Sequence, residues 1–143
     1  MSDDYWPSPA HRDVALELQR LSQRRKTTQP GMRLETSAFA ILWILADEQP
    51  RTLRQLTERL DLEQSTVNRQ VNAAIKNGYL ERFEVPDCAS KLIRPTALGR
   101  REFEHDGELR GQRLTAVLDD LAPGRIADLA HQLRALNDAF DRA

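Results

Sequence analysis

Residues 52–80 read TLRQLTERLDLEQSTVNRQVNAAIKNGYL, and this stretch decides the fold. Thr52 and Gln55 have the spacing of a capping box, which predicts a short helix that ends near Leu60. The turn 61–63 follows, and a second helix is predicted from residue 64 to about Asn77. It stops at Gly78, because glycine best tolerates the left-handed conformation after a helix end. Two short helices joined by a three-residue turn are typical of a helix-turn-helix.

The residues on either side of this stretch complete a small domain. An apolar run from about Thr36 to Asp47 predicts a central buried helix, in which Trp43 is expected to be a core residue. After Gly78 apolar and polar residues alternate over 82–85, and an apolar pair at 92–93 follows the turn 86–90. This period of two predicts a β-hairpin wing with a short tip.

The two ends of the chain have helical patterns. Pro7 and Pro9 are expected to keep the first residues extended, and a helix is predicted from about His11 to Lys26. Thr96 is suited to cap a long helix that ends near residue 121, and Pro123 to begin the last one. We therefore predict one domain, residues 1–143, mainly α with a small β-hairpin wing. It is a winged helix-turn-helix at about 34–98, flanked by dimerisation helices at about 11–30 and 100–143.

The dimer prediction depends on apolar positions in the terminal helices. In the last helix they recur at spacings of three and four, as in a helix–helix seam: Ile126, Leu129, Leu133, Leu136 and Phe140. The first helix has Val14, Leu18 and Leu21 on one face. Such stripes can also pack within one chain, but their location at both chain ends favours a homodimer.

Charge is unevenly distributed along the chain. The whole chain has a net charge of -1, yet residues 51–101 contain ten basic and six acidic groups. Phosphate binding requires a local concentration of Arg and Lys rather than a basic protein, so a polyanion would bind the middle third. Ordinary scatter of surface charge is the alternative explanation.

The second helix of the helix-turn-helix has two different faces. One side is apolar and contains Val67, Val71 and Ala74. The other side is polar, and we call it the polar stripe: Ser65, Arg69, Asn72 and Lys76. A solvated face usually mixes Glu and Lys, whereas this helix has no acid after Glu63, and this favours an anion-facing surface. Arg can pair with guanine and Asn with adenine, so direct base reading is chemically possible. The DNA-binding candidates are Thr52, Arg54, Gln64, Ser65, Thr66, Asn68, Arg69, Asn72, Lys76, Lys91 and Arg94.

The chain resembles the MarR family of bacterial regulators over nearly its whole length. The resemblance lies in the order and spacing of three segments: the helix with Ser65-Thr66-Val67-Asn68-Arg69, the segment Lys76–Leu80, and Thr96–Arg100. The resemblance implies a triangular homodimer that binds a palindromic operator in double-stranded DNA. It also implies a repressor that a small aromatic or anionic effector, or an oxidant, releases. A winged-helix module for protein interaction, without specific DNA binding, is the alternative.

The wing departs from the family pattern. Family wings usually carry Asp-Arg-Arg or Asp-x-Arg, whereas the matching stretch here is Asp87-Cys88-Ala89. Lys91 and Arg94 are expected to substitute from the strand, or the wing to touch only the DNA backbone. Pro95 replaces the usual leucine and suits the end of an edge strand.

Other function classes find little support in the sequence. A single cysteine, Cys88, excludes an internal disulfide, and without a second thiol or nearby base it is not expected to be a redox sensor. The three histidines lack metal-ligand spacing, and no catalytic constellation is present, so we expect neither an enzyme nor a cofactor. The acidic start lacks a secretory h-region and no apolar run is long enough to span a bilayer, so a cytoplasmic protein is expected.

Overall fold

The computed structural model describes residues 5–24 and 29–143. Within these residues the fold is mainly α-helical with a small sheet, as predicted. The elements are α1 (Pro9–Gln23), α2 (Thr36–Leu45), β1 (Arg51–Thr52), α3 (Leu53–Leu60), α4 (Gln64–Lys76), β2 (Leu80–Phe83), β3 (Leu92–Pro95), α5 (Ala97–Leu118) and α6 (Arg125–Arg142). Among residues 5–24 and 29–143, none of the helices could span a lipid bilayer.

The helix-turn-helix forms where the sequence predicts it. The hydroxyl of Thr52 accepts a hydrogen bond from the amide of Gln55, whose side chain accepts one from the amide of Thr52. This is the predicted capping box. Asp61 adopts the left-handed conformation after α3, and Gly78 has a φ of 83° after α4. The two helices therefore begin and end through local chemistry that the sequence displays.

The terminal helices differ from their predicted bounds. Pro9 is not extended but occupies the first turn of α1, where its missing N–H costs no hydrogen bond, and Ser8 is the N-cap. The predicted end of this helix at Lys26 lies outside the described residues. Pro123 precedes α6 rather than beginning it, because Gly124, with a φ of 81°, is the residue that leads into the helix.

The wing is part of a three-stranded antiparallel sheet with the order β1-β3-β2. The sequence predicted the β2–β3 hairpin but not β1, which has only two residues and therefore no readable period. Pro95 was expected on an edge strand, and this is wrong, since β3 is the central strand. Pro95 is tolerated there because β1 pairs only with Leu92 and Ile93, so no ladder bond on that side needs a Pro95 N–H.

The core lies between α2, α3, α4 and the sheet. All buried apolar side chains of the described residues belong to positions 34–95: Leu34, Ala38, Phe39, Ile41, Leu42, Ile44, Leu45, Leu56, Val67, Val71, Ala74, Leu80, Ile93 and Pro95. Trp43 was predicted to join them, and this is wrong because 67% of it is exposed. It lies on the side of α2 that packs against Phe103 of α5 rather than against α3 and α4.

The start of α5 fits closely against the end of α4. Thr96 caps α5, accepting a hydrogen bond from the amide of Gly99 and donating one to the carbonyl of Gly78. A Cβ at position 99 would overlap the carbonyl oxygen of Tyr79, so only glycine allows this approach.

A buried carboxylate ties α5 to the segment before α2. Asp106 is fully buried and accepts hydrogen bonds from the amides of Arg33 and Leu34 and from Nδ1 of His105. Burial alone would raise the pKa of Asp106, but the hydrogen bonds from His105, Arg33 and Leu34 outweigh it and the pKa is lowered. The carboxylate therefore remains ionised and holds the entry to α2 against α5.

The helices at the chain ends have no buried residues at all in the single chain. Their apolar stripes line an open groove of about 570 Å³ between α1 and α6. The exposed apolar residues of the two stripes are Val14, Leu18, Leu21, Ile126, Leu129, Leu133 and Phe140.

Candidate nucleic-acid interface

The two faces of α4 separate as the sequence predicted. Val67, Val71 and Ala74 are buried in the core. The polar stripe, formed by Ser65, Arg69, Asn72 and Lys76, is exposed along its whole length. Because these four side chains contribute nothing to the core, they are available to a partner.

The first turn of α4 is also open to an anion. Glu63 is the N-cap residue, but its side chain makes no capping hydrogen bond. The first amide groups of a helix lack intrahelical partners and give this end a partial positive charge. Gln64 is exposed beside them, and Thr66 is half-buried. A helix end of this kind can bind a phosphate.

The candidates on α3 have local contacts. Thr52 is half-buried and serves as the cap of α3, so its hydroxyl has a structural role. Arg54 is exposed, and its Nε lies 3.3 Å from Glu58 Oε1, one turn further along the helix. An exposed pair of this kind contributes little stability, so it leaves Arg54 free to exchange partners.

Arg82 of β2 is a functional candidate that the sequence analysis missed. Its two terminal nitrogens donate to two asparagines of α4: one to Oδ1 of Asn72 at 2.7 Å and the other to Oδ1 of Asn68 at 3.3 Å. Its place in the alternating pattern of β2 was visible in the sequence. The packing of β2 on α4, which brings Arg82 to the polar stripe, was not.

The two basic residues that were predicted to replace the missing wing arginine both have acidic partners. Arg94 Nε lies 2.6 Å from Glu81 Oε1, and its guanidinium stacks 4.0 Å from the centre of the Phe83 ring. Lys91 Nζ lies 4.0 Å from Glu84 Oε1. Both side chains are exposed, but a polyanion would have to compete with a carboxylate for each of them.

Cys88 at the wing tip is exposed, and its Sγ lies 3.1 Å from the carbonyl oxygen of Ser90. Within residues 5–24 and 29–143 no group of three or more metal-ligating side chains is assembled. His11 contacts Ser8, and His105 contacts Asp106, so both have local structural partners.

A second feature lies between α2 and α5, where Trp43 is exposed and Phe39 is buried. Phe39, Trp43 and Phe103 form an aromatic cluster with ring centres 4.9–6.2 Å apart. The guanidinium of Arg110 lies 3.9 Å above the Phe39 ring. Its Nε is buried and has no hydrogen-bond partner among the described residues. The cluster combines one exposed aromatic ring, that of Trp43, with a cation.

Comparison with known proteins places these features in a family context. Residues 34–87, from the entry to α2 through the wing tip, match the family model described as MarR family. An uncharacterised HTH-type transcriptional regulator of Bacillus subtilis, YxaD, is 28% identical over 121 residues, which cover 84% of this chain and 82% of that protein.

Solved structures show the same fold. The apo form of MarR from E. coli has a TM-score of 0.74 at 20% identity, with 92% of this chain and 98% of that chain covered. BpsR of Bordetella bronchiseptica, whose DNA binding is regulated by 6-hydroxynicotinic acid, has a TM-score of 0.71 at 22% identity. The aligned part covers 87% of this chain and 98% of BpsR.

Proposed function

We propose that this chain is a transcriptional regulator of the MarR family, not an enzyme, and that it binds a palindromic DNA operator as a cytoplasmic homodimer and represses transcription. Its winged-helix segment, residues 34–87, matches that family. The observation that carries this proposal is the exposed polar stripe of α4. It carries no acid and continues into the uncapped first turn of the helix. A recognition helix laid in the major groove presents its N-terminal residues to the base edges in this way.

The homodimer is supported by the terminal helices. Both have apolar stripes that a single chain leaves in water, and exposed apolar surface of this kind marks an interaction site. In a twofold dimer the two copies of α4 would read two half-sites, which explains why the operator should be palindromic.

Arg69 is the residue on which the DNA-binding proposal is tested. It is exposed in the middle of the polar stripe and has no hydrogen bond or ion pair within the part of the chain that the structure describes. Arg69→Ala should weaken operator binding by about 1–3 kcal/mol. If Arg69 pairs with a guanine, base preference is lost at one position of each half-site. If it holds a phosphate, affinity falls evenly and the salt slope shrinks.

The matched control is Arg101→Ala, which removes an exposed arginine of α5. Fluorescence anisotropy over a salt series measures both variants, and circular dichroism checks that both fold. Wild-type affinity and salt dependence in a folded Arg69→Ala protein would remove α4 from the DNA interface. The protein-interaction module would then be the better explanation.

We further propose that a small aromatic acid releases the repressor by binding at the aromatic cluster. Trp43 offers an exposed ring next to the half-buried Phe103, and the buried Nε of Arg110 lacks a partner that a carboxylate would supply. The regulation of BpsR by 6-hydroxynicotinic acid supports this chemical class. To shift DNA binding, the acid must bind the DNA-competent and incompetent states unequally.

The test uses a Trp6→Phe background, in which Trp43 is the single tryptophan. Aromatic carboxylic acids, including 6-hydroxynicotinic acid, are screened for quenching of Trp43 fluorescence and for release of bound DNA. Arg110→Met should weaken the effect of an active acid at least about tenfold, the loss of one charged hydrogen bond. If neither a broad set of acids nor peroxide releases DNA, the protein is a constitutive binder.

A further inference from the structure

The guanidinium of Arg82 determines which edge of two α4 asparagines remains available. Arginine has only hydrogen-bond donors, so the atom of each asparagine that faces it must be the amide oxygen. The contact to Asn72, at 2.7 Å, is the shorter, and Asn68 lies one helical turn away on the same face at 3.3 Å. One side chain from the wing therefore orients two amides of the recognition helix.

This orientation has a consequence for base reading. An asparagine that reads adenine uses its oxygen to accept from N6 and its nitrogen to donate to N7. In Asn72 the oxygen already accepts from a charged donor, and a second donor, the adenine N6 amino group, would have to share it beside a positive charge. The amide nitrogen, with its two hydrogens, has no such competitor.

Guanine presents the complementary pattern, since its N7 and O6 are both acceptors in the major groove. An asparagine presented as a donor therefore matches guanine rather than adenine. The sequence alone predicted adenine for asparagine, because residue identity does not show which amide edge is occupied.

We propose that Arg82 is a positioning residue that sets the base specificity of the recognition helix, by presenting Asn72, and more weakly Asn68, as hydrogen-bond donors to guanine. The inference rests on the proposed function, because it needs α4 to lie in the major groove. It does not need Arg82 to touch DNA.

The experiment begins with selection of operators from a random duplex library by the full-length wild-type protein at fixed salt. Asn72→Ala then identifies the position whose base preference depends on Asn72. At that position, the affinities of the four base pairs are compared for wild type, Arg82→Ala and Arg82→Lys. Arg82→Ala should shift the ratio of adenine to guanine affinity about three- to tenfold toward adenine, the effect of one hydrogen bond.

Three controls separate positioning from other roles. Arg82→Lys retains a charged donor for Asn72 and should keep the wild-type preference. Replacing the adenine by purine, which lacks the N6 amino group, should abolish the affinity gained in Arg82→Ala. In the Asn72→Ala background, Arg82→Ala should leave the preference at that position unchanged, because the residue through which it acts is absent.

Each outcome decides the proposal. An even loss of affinity with a smaller salt slope, and no change of base preference, would make Arg82 a phosphate contact and overturn it. The same shift in the Asn72→Ala background would also overturn it, since Arg82 would then act independently of Asn72. If the wild type selects no duplex, the proposed DNA binding and this inference both fail. A shift that lysine rescues, and that requires Asn72, supports the proposal.

Discussion

The winged-helix region and the terminal helices α1 and α6 both have apolar residues at regular spacing. The winged-helix region buries many of these residues, whereas the terminal helices leave theirs exposed. Every buried apolar side chain among the described residues belongs to positions 34–95, and α1 and α6 bury none. Leu42 is 2% exposed, whereas Leu133, a leucine at a regular apolar position of α6, is 41% exposed.

The difference shows that one region completes its core within the chain and the other does not. Helices α2, α3 and α4 pack on one another and on the sheet, so each apolar stripe has a partner. Helices α1 and α6 leave their stripes facing a wide groove. Apolar surface contributes to stability only when it is buried away from water. We therefore expect a second copy of the chain to cover these helices.

Leu133→Glu is the change with the largest expected effect. It places a carboxylate in the proposed seam of α6, where an unpaired buried charge is costly. We expect the dimer dissociation constant to rise at least about 100-fold, a change of roughly 3 kcal/mol. Analytical ultracentrifugation over a concentration series measures it.

The control for this variant is Ala135→Glu, which adds the same charge to the opposite side of α6. It should remain dimeric. If Leu133→Glu is as dimeric as the wild type, α6 does not form the interface and the contrast between the two regions needs another explanation.

Leu42→Ala should have the next largest effect, because it truncates a leucine in the centre of the winged-helix core. The free energy of unfolding should fall by about 2–5 kcal/mol, through lost burial and the cavity left behind. Leu62→Ala, at a leucine that is 45% exposed, should cost no more than about 0.5 kcal/mol. Urea denaturation at equal protein concentration compares them, and equal losses would contradict the assignment of the core.

Asp106→Asn should have a smaller, pH-dependent effect on the junction between α5 and the segment before α2. The pKa of Asp106 is lowered from its ordinary value of 3.8, so its ionised form stabilises the fold above about pH 4. This stability is lost as pH falls through the lowered pKa. Near neutral pH the variant should be less stable by about 2 kcal/mol, as expected for hydrogen bonds to a charged group.

Thermal melting from neutral pH to about pH 3 measures this difference, which should shrink as the acid form of the wild type is approached. Asp120→Asn, at an exposed carboxylate after α5, is the control and should follow the wild type at every pH. A difference between Asp106→Asn and wild type that does not change with pH would show that the charge of Asp106 is not what matters.

The winged-helix elements were predictable because local rules and packing agree there. The capping box of α3, the glycine after α4 and the apolar side of α4 all depend on residues close in the chain. The sequence-based predictions failed where contacts between residues distant in the chain decide burial. Trp43 is apolar and lies in a helix otherwise rich in buried residues, but the position of α5 leaves it at the surface.

The candidate site divides in the same way. The polar stripe of α4 follows from helical periodicity, and its exposure was predicted residue by residue. The contact of Arg82 with the two asparagines was not predicted. Asn72 and Asn68 lie 10 and 14 positions before Arg82, and a hydrogen bond between α4 and β2 leaves no trace in local residue spacing.

By itself the sequence determined the helix-turn-helix, the hairpin wing and the acid-free polar stripe, because caps, turns and periodicity act over a few residues. Only the tertiary structure decided the burial of Asp106, the exposure of Trp43 and the hydrogen bonds from Arg82 to the α4 asparagines. These depend on how helices and strands dock, and the free energy of docking comes from contacts between residues that are far apart in the chain.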